Sequence, residues 1–540
     1  MPASAVSAPA PGGRAPVTSP STVERPHVVD FRVRDNSKDG LFNRLLLWLL
    51  TRFRRLWAWI QRHRRLERWV NNGLINLAIR NGPTRPSPNS TNCDITCWAA
   101  LTDRTYYSRH LPAKKGSVEP PEKQVLELFD RNKTGIRFSD KSTVLFAHFA
   151  QWFTDGLLRT DREALAKDPP LLKNTSNHEI DLCNLYGLNR KHTDMLRAWH
   201  GGELKSQFLK SGPDGHEEEW PMFHCDRSGK KLPGFEDLPL LIPEQQPLPP
   251  DRLERLFAMG TERGNVTPGY AMMNVLFLRE HNRVARELQK EYPCWDDSRL
   301  FETTRNVLIH LLLKIVVQDY INHIAPYHFK FRLFGGQKIE REWYRTNWVA
   351  LEFNLLYRWH SLVPDHVYFG DTPMPAPLAF YRNEPLLEGG LRQAFEGASN
   401  HRAGHIGLFN TPAHLMRTEA GSLRMARLAQ LASFNDYRDE FGFPRMTRFE
   451  QLSSDPLVVE GLRTVYGRVD NVELYVGLFA EDSRPDSILA QLMGRMVGVD
   501  AFSQALTNPL LAHRVYQVKT FSELGMTIVE QTKSLNRRSR

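Results

Sequence analysis

Cysteine is scarce in this 540-residue chain, which has five cysteines in all. They are scattered along the sequence, at Cys93, Cys97, Cys183, Cys225 and Cys294. The first two lie close together, but they have neither a second pair nor histidines beside them at zinc-site spacing. We therefore expect free thiols and no disulfide framework.

The chain also lacks a recognisable secretory signal and a long apolar run near its start. It opens on a segment rich in Pro, Ala and Ser, without the basic start and apolar stretch of a signal peptide. The longest apolar run in the basic segment that follows is Leu45–Leu50, whereas a transmembrane helix needs about 18 apolar residues. We predict a disordered tail over residues 1–38, no signal peptide and no transmembrane helix.

Acidic residues are nearly missing from residues 41–80, where nine arginines stand against the single acid Glu67. Trp, Leu and Phe alternate with these arginines. Short helices of this composition suit a membrane surface, because aromatic side chains enter the headgroup boundary and arginines meet anionic lipid. We predict amphipathic, basic, monotopic membrane-binding helices over residues 39–80, with residues 41–80 in contact with the membrane.

Two other interpretations of this basic segment are weaker. One is a basic helical hairpin that packs on the rest of the protein without touching lipid. The other is a nucleic-acid-binding arm, which is disfavoured because the chain supplies no recognised nucleic-acid fold and no basic groove with stacking aromatics.

The rest of the chain has little strand alternation and no phosphate-binding loop, GxGxxG motif or internal repeat. A linker rich in Pro, Asn and Ser begins the segment 81–121. Beyond about Glu122 the periodic segments have the length and pattern of helices. The sequence therefore predicts a mainly α fold, with one large helical domain over residues 122–540.

One of these helices carries polar residues in an apolar setting. The segment 142–160 is apolar nearly all round, but His148, Gln151 and Asp155 fall on one face at about 100° per residue. Buried polar groups need partners, so this face meets either another polar helix or a wet pocket that holds a ligand. Both interpretations stay open from this helix alone.

A second informative segment, VALEFNLLYRWHSLVP, predicts a helix that ends near Val363, just before Pro364. Tyr357 and His360 stand three residues apart and therefore share a face of that helix. A histidine satisfied in the core remains compatible with this pattern.

Taken together, these segments resemble the animal haem peroxidase superfamily, and within it the cyclooxygenases (prostaglandin-endoperoxide synthases) and the α-dioxygenases. The resemblance runs in a constant order from about Leu74 to the C-terminus. Its main strings are LREHNRV and LEFNLLYRWHSLVP, and further ones are TYYSRHLP, LFAHFAQWFTD, DLCNLYG, FNDYRDEFGFPR and VELYVGLFAED. It implies a haem-peroxidase-like helical domain preceded by the membrane-binding helices, with residues 81–121 leading to the mouth of a substrate channel.

The resemblance also implies roles for particular residues. His360 matches the proximal ligand of the haem iron, and Tyr357 matches the tyrosine that abstracts hydrogen as a radical. Ser503 falls beside the substrate chain. Arg80 and Tyr327 fall where an arginine and a tyrosine bind the carboxylate of a fatty acid.

On the distal side of the haem, the resemblance implies Gln151 as a hydrogen-bonding residue. At one position on this side, however, the chain departs from the family pattern. Family peroxidases place a catalytic histidine four residues later, where this chain has Asp155. Thr154 and Val266 stand where covalent-haem members carry ester-forming acids. We therefore expect non-covalent haem b. We also expect reduced or altered peroxidase activity, because general acid–base catalysis near neutral pH suits histidine better than an ordinary carboxylate.

The activity implied is that of a haem-dependent dioxygenase. A tyrosyl radical abstracts hydrogen from an unsaturated fatty acid, and O2 adds to the resulting carbon radical. The same resemblance implies a monotopic membrane platform and a homodimer. We also expect a peripheral protein on the cytoplasmic side of a membrane, without a nucleic-acid partner. Two alternatives stay open: a haem peroxidase acting on small donors, and a non-catalytic haem- or lipid-binding protein at a membrane surface.

Overall fold

The computed structural model describes residues 41–531 apart from residues 81–88, 118, 133, 243–246, 338, 340–343, 345–347 and 485–486. The tail predicted for residues 1–38 lies outside this part of the chain. Within it the fold is mainly helical, as predicted. The five cysteines are free thiols, which confirms that expectation too.

The α-helices are joined by connections that range from one residue to long loops. In chain order they are α1 (Leu41–Arg52), α2 (Arg54–Ile60), α3 (Arg64–Arg80), α4 (Trp98–Thr102), α5 (Glu122–Glu127), α6 (Val144–Thr154), α7 (Arg162–Leu165), α8 (Cys183–Tyr186), α9 (Arg190–Leu196), α10 (Pro250–Leu253), α11 (Pro268–Glu291), α12 (Asp297–Ile315), α13 (Ile321–Ile324), α14 (Leu351–Leu356), α15 (Glu384–Asn400), α16 (Met416–Leu428), α17 (Phe434–Glu440), α18 (Pro456–Tyr466), α19 (Leu474–Ala480), α20 (Gln491–Leu506) and α21 (Val518–Gln531).

The strands form small two-stranded antiparallel sheets at the edges of the helical body. They are β1 (Phe138–Thr143), β2 (Ser206–Ser211), β3 (His216–Pro221), β4 (His366–Phe369), β5 (Thr372–Pro375) and β6 (Arg402–Gly404). Strand β1 pairs with β6, with Phe138 opposite Gly404. The hairpins β2–β3 and β4–β5 pair Ser211 with His216 and Phe369 with Thr372.

The basic segment predicted to be helical forms α1 to α3, and these helices pack on the body through one face. Trp57 is buried and its ring meets Phe329 edge-on at 5.7 Å. The buried carboxylate of Glu67 pairs with Arg332 at 2.8 Å, which explains why the one acid of this segment is there. The opposite face leaves large side chains in solvent, with Trp48, Trp59 and Trp69 exposed by 50%, 52% and 75%.

Helices α11 and α12 form the centre of the body. The pattern predicts both, and α11 carries an almost continuous set of buried residues from Pro268 to Leu288. By length and composition, the helical stretch Asp297–Ile324 could cross a membrane, but 78% of its most apolar window is buried inside the protein. Its apolar surface is therefore covered by the neighbouring helices.

The LREHNRV string lies on α11 and is largely structural. His281 is fully buried, with Nδ1 2.8 Å from the Tyr186 hydroxyl and Nε2 2.9 Å from the carbonyl of Gly202. Asn282 pairs with both backbone groups of Leu204. These side chains therefore hold loops against α11 and are not free for chemistry.

A π-helical turn interrupts the run from α12 to α13, over Val316–Tyr320. Such turns are rare and are frequently found at functional sites. This one places Tyr320 among three phenylalanines of α6, with ring centroids 5.2 Å from Phe146, 5.3 Å from Phe149 and 5.9 Å from Phe153. The turn thereby brings a buried phenol to the hydrophobic face of α6.

The helix predicted through His360 is wrong in its second half. Helix α14 ends at Leu356, Tyr357 has a backbone outside the helical range (φ −95°, ψ 14°), and a 3-10 turn follows over His360–Leu362. Tyr357 and His360 therefore do not share one helix face. The tertiary contacts described below draw the two side chains to different neighbours, which local periodicity cannot reveal.

Gly269→Ala tests the contact between α6 and α11. A Cβ at Gly269 would lie 2.1 Å from Nδ1 of His148. Overpacking of this kind costs about 1–3 kcal/mol, so urea unfolding should report a lower free energy of unfolding.

The matched control is Gly421→Ala, on the exposed side of α16, where nothing lies within 4 Å of the new Cβ. There the higher helix propensity of alanine should raise the free energy of unfolding by about 0.5–1 kcal/mol. A stabilising effect at both positions would contradict the packing of His148 on α11.

Candidate active site

His360 is held by a buried carboxylate. Its Nδ1 lies 2.8 Å from Oε2 of Glu419, which sits in the first turn of α16 and is 1% exposed. Because a carboxylate accepts hydrogen bonds, Nδ1 carries the hydrogen and Nε2 keeps its lone pair. This is the tautomer in which an imidazole binds a metal through Nε2.

Glu419 is itself fixed from two further directions. The Thr411 hydroxyl donates to Oε2 at 3.2 Å, and the buried Tyr475 hydroxyl donates to Oε1 in a short hydrogen bond. The carboxylate thus accepts three hydrogen bonds from separate parts of the chain. It orients the His360 ring without freedom to turn away.

Tyr357 is half-buried in an aromatic setting, and its hydroxyl is enclosed. Its ring centroid lies 4.7 Å from that of Trp359 and 5.1 Å from that of Phe353. Burial raises its pKa well above the ordinary value, and the negative charge of Asp500 adds to the shift. The phenol therefore stays protonated at any physiological pH.

The hydroxyl of Tyr357 has no hydrogen-bond partner among the described residues, and neither does that of Tyr320. The two phenols lie close enough to shift each other's pKa, but the geometry between their oxygens does not meet hydrogen-bond criteria. A buried hydroxyl without an acceptor is costly, and here two such hydroxyls lie near each other.

On α6, the polar face predicted from the sequence meets the segment 262–269. Asp155 Oδ1 accepts a hydrogen bond from Arg263 Nη1 at 2.9 Å, and this carboxylate raises the pKa of Arg263. The other oxygen, Oδ2, is buried without a partner in the described structure. Burial lowers the pKa of His148 to about 4, so its imidazole is neutral near pH 7. Gln151, between them on this face, is half-buried.

Arg358 connects this face with the His360 side. Burial lowers its pKa, as does Arg263, while Tyr107, Tyr475 and Asp155 act in the opposite direction. Arg358 is therefore within electrostatic reach of both the Asp155–Arg263 pair and the tyrosine that bonds Glu419. The α6 face and the His360 segment lie in one region of the molecule.

A cavity of about 280 Å³ lies between α1, α3 and the body. Its wall is mostly apolar and is built by residues from α1, α3, the 321–331 segment and α20. Lining residues include Leu46, Leu50, Leu77, Ile324, Phe331, Leu489, Val497 and Phe502. Helix α20 also carries Asp500, whose charge acts on Tyr357, so one helix both lines the cavity and comes near this phenol.

The cavity wall also includes Tyr327, Arg484 and Arg495. Burial raises the pKa of Tyr327, and the charges of both arginines oppose that shift. Three groups able to bind an anion thus lie near one another in the wall of an apolar cavity. The sequence pointed to Tyr327, but nothing in the local pattern distinguished these two arginines from other surface arginines.

Arg80 and Ser503 are the other two channel residues expected from the sequence. The side chain of Arg80 lies outside what the structure describes, although Leu77 and Ala78, less than one turn earlier on α3, line the cavity. Ser503 is buried and its hydroxyl donates to the carbonyl of Asp500 at 3.1 Å. Its neighbour Phe502, not Ser503, is among the lining residues.

Comparison with known proteins agrees with this geometry. Residues 156–508 match the animal haem peroxidase family. Prostaglandin G/H synthase 2 of Cavia porcellus is 32% identical over 447 residues, which cover 80% of this chain and 70% of the relative. Prostaglandin G/H synthase 1 of Mus musculus is 30% identical over 469 residues, covering 84% of this chain and 74% of the relative.

Solved structures show the same fold. A fatty acid alpha-dioxygenase of Oryza sativa superposes with a TM-score of 0.64 at 16% identity, covering 93% of this chain and 94% of that one. Peroxidase A from Dictyostelium discoideum gives a TM-score of 0.62 at 19% identity, covering 78% and 90% of the two chains.

The chain therefore belongs to the animal haem peroxidase family, whose members bind haem, and it is an oxidoreductase. Its own residues fit that group. In the described part of the chain no three His, Cys, Asp or Glu side chains cluster to hold a bare metal ion. His360 instead offers a single oriented nitrogen, as an axial ligand requires, and Asp155 Oδ2 is a buried oxygen still in need of a donor.

His360→Ala tests the ligand assignment. Loss of the imidazole should abolish tight haem binding, seen as loss of the Soret absorbance after reconstitution and gel filtration. The matched control is His216→Ala, an exposed histidine on β3, which should bind haem as the unaltered protein does. A variant at position 360 that keeps the wild-type spectrum would reject His360 as the ligand.

Proposed function

We propose that this protein is a haem-dependent dioxygenase that oxygenates an unsaturated fatty acid through a tyrosyl radical on Tyr357. The observation that carries the proposal is the buried Tyr357 hydroxyl, which has no hydrogen-bond partner in the described structure and lies three residues from His360. A phenol held protonated and away from acceptors gives up a hydrogen atom more readily than a proton. The alpha-dioxygenase and prostaglandin synthase relatives support the same class of reaction.

Haem bound through His360 would supply the oxidising power that removes one electron and one proton from Tyr357. The phenoxyl oxygen then takes a hydrogen atom from the fatty acid, which leaves a carbon radical and restores the phenol. O2 adds to that carbon, and the peroxyl radical takes the hydrogen atom back from Tyr357. The net reaction converts RH and O2 into ROOH and regenerates the radical.

The cavity at α1 and α3 suits an amphiphilic substrate. Its apolar wall would hold the hydrocarbon chain, and Tyr327 with Arg484 and Arg495 would bind the carboxylate at one end. Fixing the carboxylate sets which carbon reaches Tyr357, because positioning decides which atom reacts. Arg80, on the last turn of α3, is proposed to join this anion site.

We also propose non-covalent haem b and weak peroxidase activity. Thr154 donates its hydroxyl to the carbonyl of Ala150 at 2.8 Å, and Val266 packs in an apolar cluster. Neither offers a carboxylate for an ester bond. Asp155 is engaged by Arg263, which makes it a poor substitute for a catalytic histidine in moving a peroxide proton.

Tyr357→Phe should reduce oxygen uptake with linoleic or arachidonic acid to background, because the variant has no phenolic hydrogen to lose. An oxygen electrode measures the rate. Tyr320→Phe, which removes the neighbouring buried hydroxyl, is the matched control and should keep most of the activity. An unchanged rate in the Tyr357 variant would reject the radical mechanism and favour a peroxidase that acts on small donors.

The double variant Arg484→Gln with Arg495→Gln should raise the KM for a fatty acid at least about tenfold, since hydrogen bonds to charged groups contribute about 1.5–3 kcal/mol. With the corresponding fatty alcohol, the variant and wild type should not differ. The control Arg468→Gln removes an arginine that is 79% exposed. It should leave the KM for the acid and the KM for the alcohol unchanged. Equal losses with acid and alcohol would show that the arginines support the fold, not the carboxylate.

We propose peripheral, monotopic membrane attachment through α1 to α3, on the cytoplasmic side. The exposed tryptophans of these helices lie among exposed arginines, including Arg52, Arg55 and Arg65. This combination favours the boundary of an anionic membrane. Since the opposite face of the same helices lines the cavity, a lipid substrate would enter directly from the bilayer.

Replacing Trp48, Trp59 and Trp69 with Ser should reduce co-flotation with anionic liposomes several-fold, because the exposed rings supply the apolar part of the contact. These side chains are at least half exposed, so the fold should survive. Trp199→Ser is the matched control, as Trp199 is 51% exposed elsewhere on the body. Unchanged flotation of the triple variant would contradict the membrane proposal. It would favour the alternative of a basic helical hairpin that packs on the body without touching lipid.

A further inference from the structure

The carboxylate of Glu419 lies against the Nδ1 side of His360, opposite the nitrogen that would bind haem. It is almost completely buried, and its ion-pair partner within the described residues is His360 itself. Burying a charge without a compensating charge is costly. A buried anion aimed at an imidazole is compensated when the opposite side of that imidazole holds a cationic group.

A second buried glutamate shows that the contact with His360 is distinctive. Glu352 is fully buried and also accepts a hydrogen bond from a tyrosine, Tyr437, at 2.6 Å. Its second donor is the backbone N–H of His110, at 2.9 Å. The two carboxylates therefore share burial and a phenol donor, and only Glu419 contacts an imidazole.

We propose that Glu419 is a positioning residue that sets the electron donation of His360, and hence the reduction potential of the iron it would bind. The carboxylate keeps the hydrogen on Nδ1, directs Nε2 to the metal and strengthens it as a donor. Stronger donation stabilises the ferric over the ferrous form. The inference rests on the proposed role of His360 as the haem ligand.

The Tyr475 hydroxyl counteracts this effect. It donates to Oε1 of Glu419, so it withdraws charge from the carboxylate that His360 also uses. Removing this donor leaves a stronger acceptor for the imidazole hydrogen. The two changes, loss of the carboxylate charge and loss of the phenol donor, are thus expected to shift the potential in opposite directions.

The test is the ferric/ferrous midpoint potential of the reconstituted holoprotein, measured by spectroelectrochemistry without fatty acid. Glu419→Gln replaces the carboxylate with a weaker, neutral acceptor. It should favour the ferrous form at least tenfold, which is about 59 mV for a one-electron couple. Tyr475→Phe should shift the potential downward. The iron–histidine stretching frequency of the ferrous protein should fall in the first variant and rise in the second.

Glu352→Gln is the matched control for loss of a buried glutamate charge, and its shift should stay well under tenfold. Glu419→Asp keeps the negative charge but moves it farther from Nδ1. It should shift the midpoint potential less than Glu419→Gln does. If Glu419→Gln does not fold, the Asp and Tyr475→Phe variants still carry the sign test. Shifts of the same sign at Glu419 and Tyr475, or a Glu419→Gln shift no larger than that of Glu352→Gln, would overturn the proposal.

These outcomes are separate from those of the proposed function. The potential is measured without substrate, so it does not depend on whether Tyr357→Phe abolishes oxygen uptake. A haem spectrum that survives His360→Ala would instead remove the ligand on which both proposals stand.

Discussion

A buried polar group in this protein must find a partner, and this requirement organises the region around His360. The carboxylate of Glu419 is matched by His360, Thr411 and Tyr475, which come from three separate stretches of the chain. Asp155 is matched by Arg263 on one oxygen. Asp155 Oδ2 and the hydroxyls of Tyr357 and Tyr320 are among the buried oxygens without a partner in the described structure. Matched and unmatched polar groups thus occur together around His360.

The candidate site has two parts, a polar region and an apolar cavity, and a packed helix connects them. The polar region contains His360 and the α6 face, whereas the apolar cavity contains Tyr327 and the two arginines. Helix α20 connects them, since residues along it line the cavity and Asp500 acts on Tyr357. Under the proposed function, a long amphiphile would keep its charge near the two arginines and present a carbon atom to Tyr357.

Helices α1 to α3 contribute side chains both to the cavity wall and to the exposed surface. Their inner faces contribute Leu50, Leu74 and Leu77 to the cavity wall, while Trp48, Trp59 and Trp69 point outward. An amphipathic helix normally buries one face and hydrates the other. Here the outer face carries both exposed tryptophans and exposed arginines, and this combination is the basis of the proposed membrane contact.

The amino-acid sequence by itself determined that the fold is mainly helical and that helices form over α1 to α3 and α11. It also singled out His360, Tyr357 and Asp155 as candidate site residues. These follow from composition and periodicity, or from strings whose order matches a known family. Only the tertiary structure decided where α14 ends, because the helical pattern of the sequence continues past Leu356 whereas the backbone leaves the helical range at Tyr357. It alone also brought Glu419 to His360, 59 residues apart in the chain, and the two arginines to Tyr327. Contacts between residues so far apart depend on how the helices pack, and no single segment encodes that arrangement.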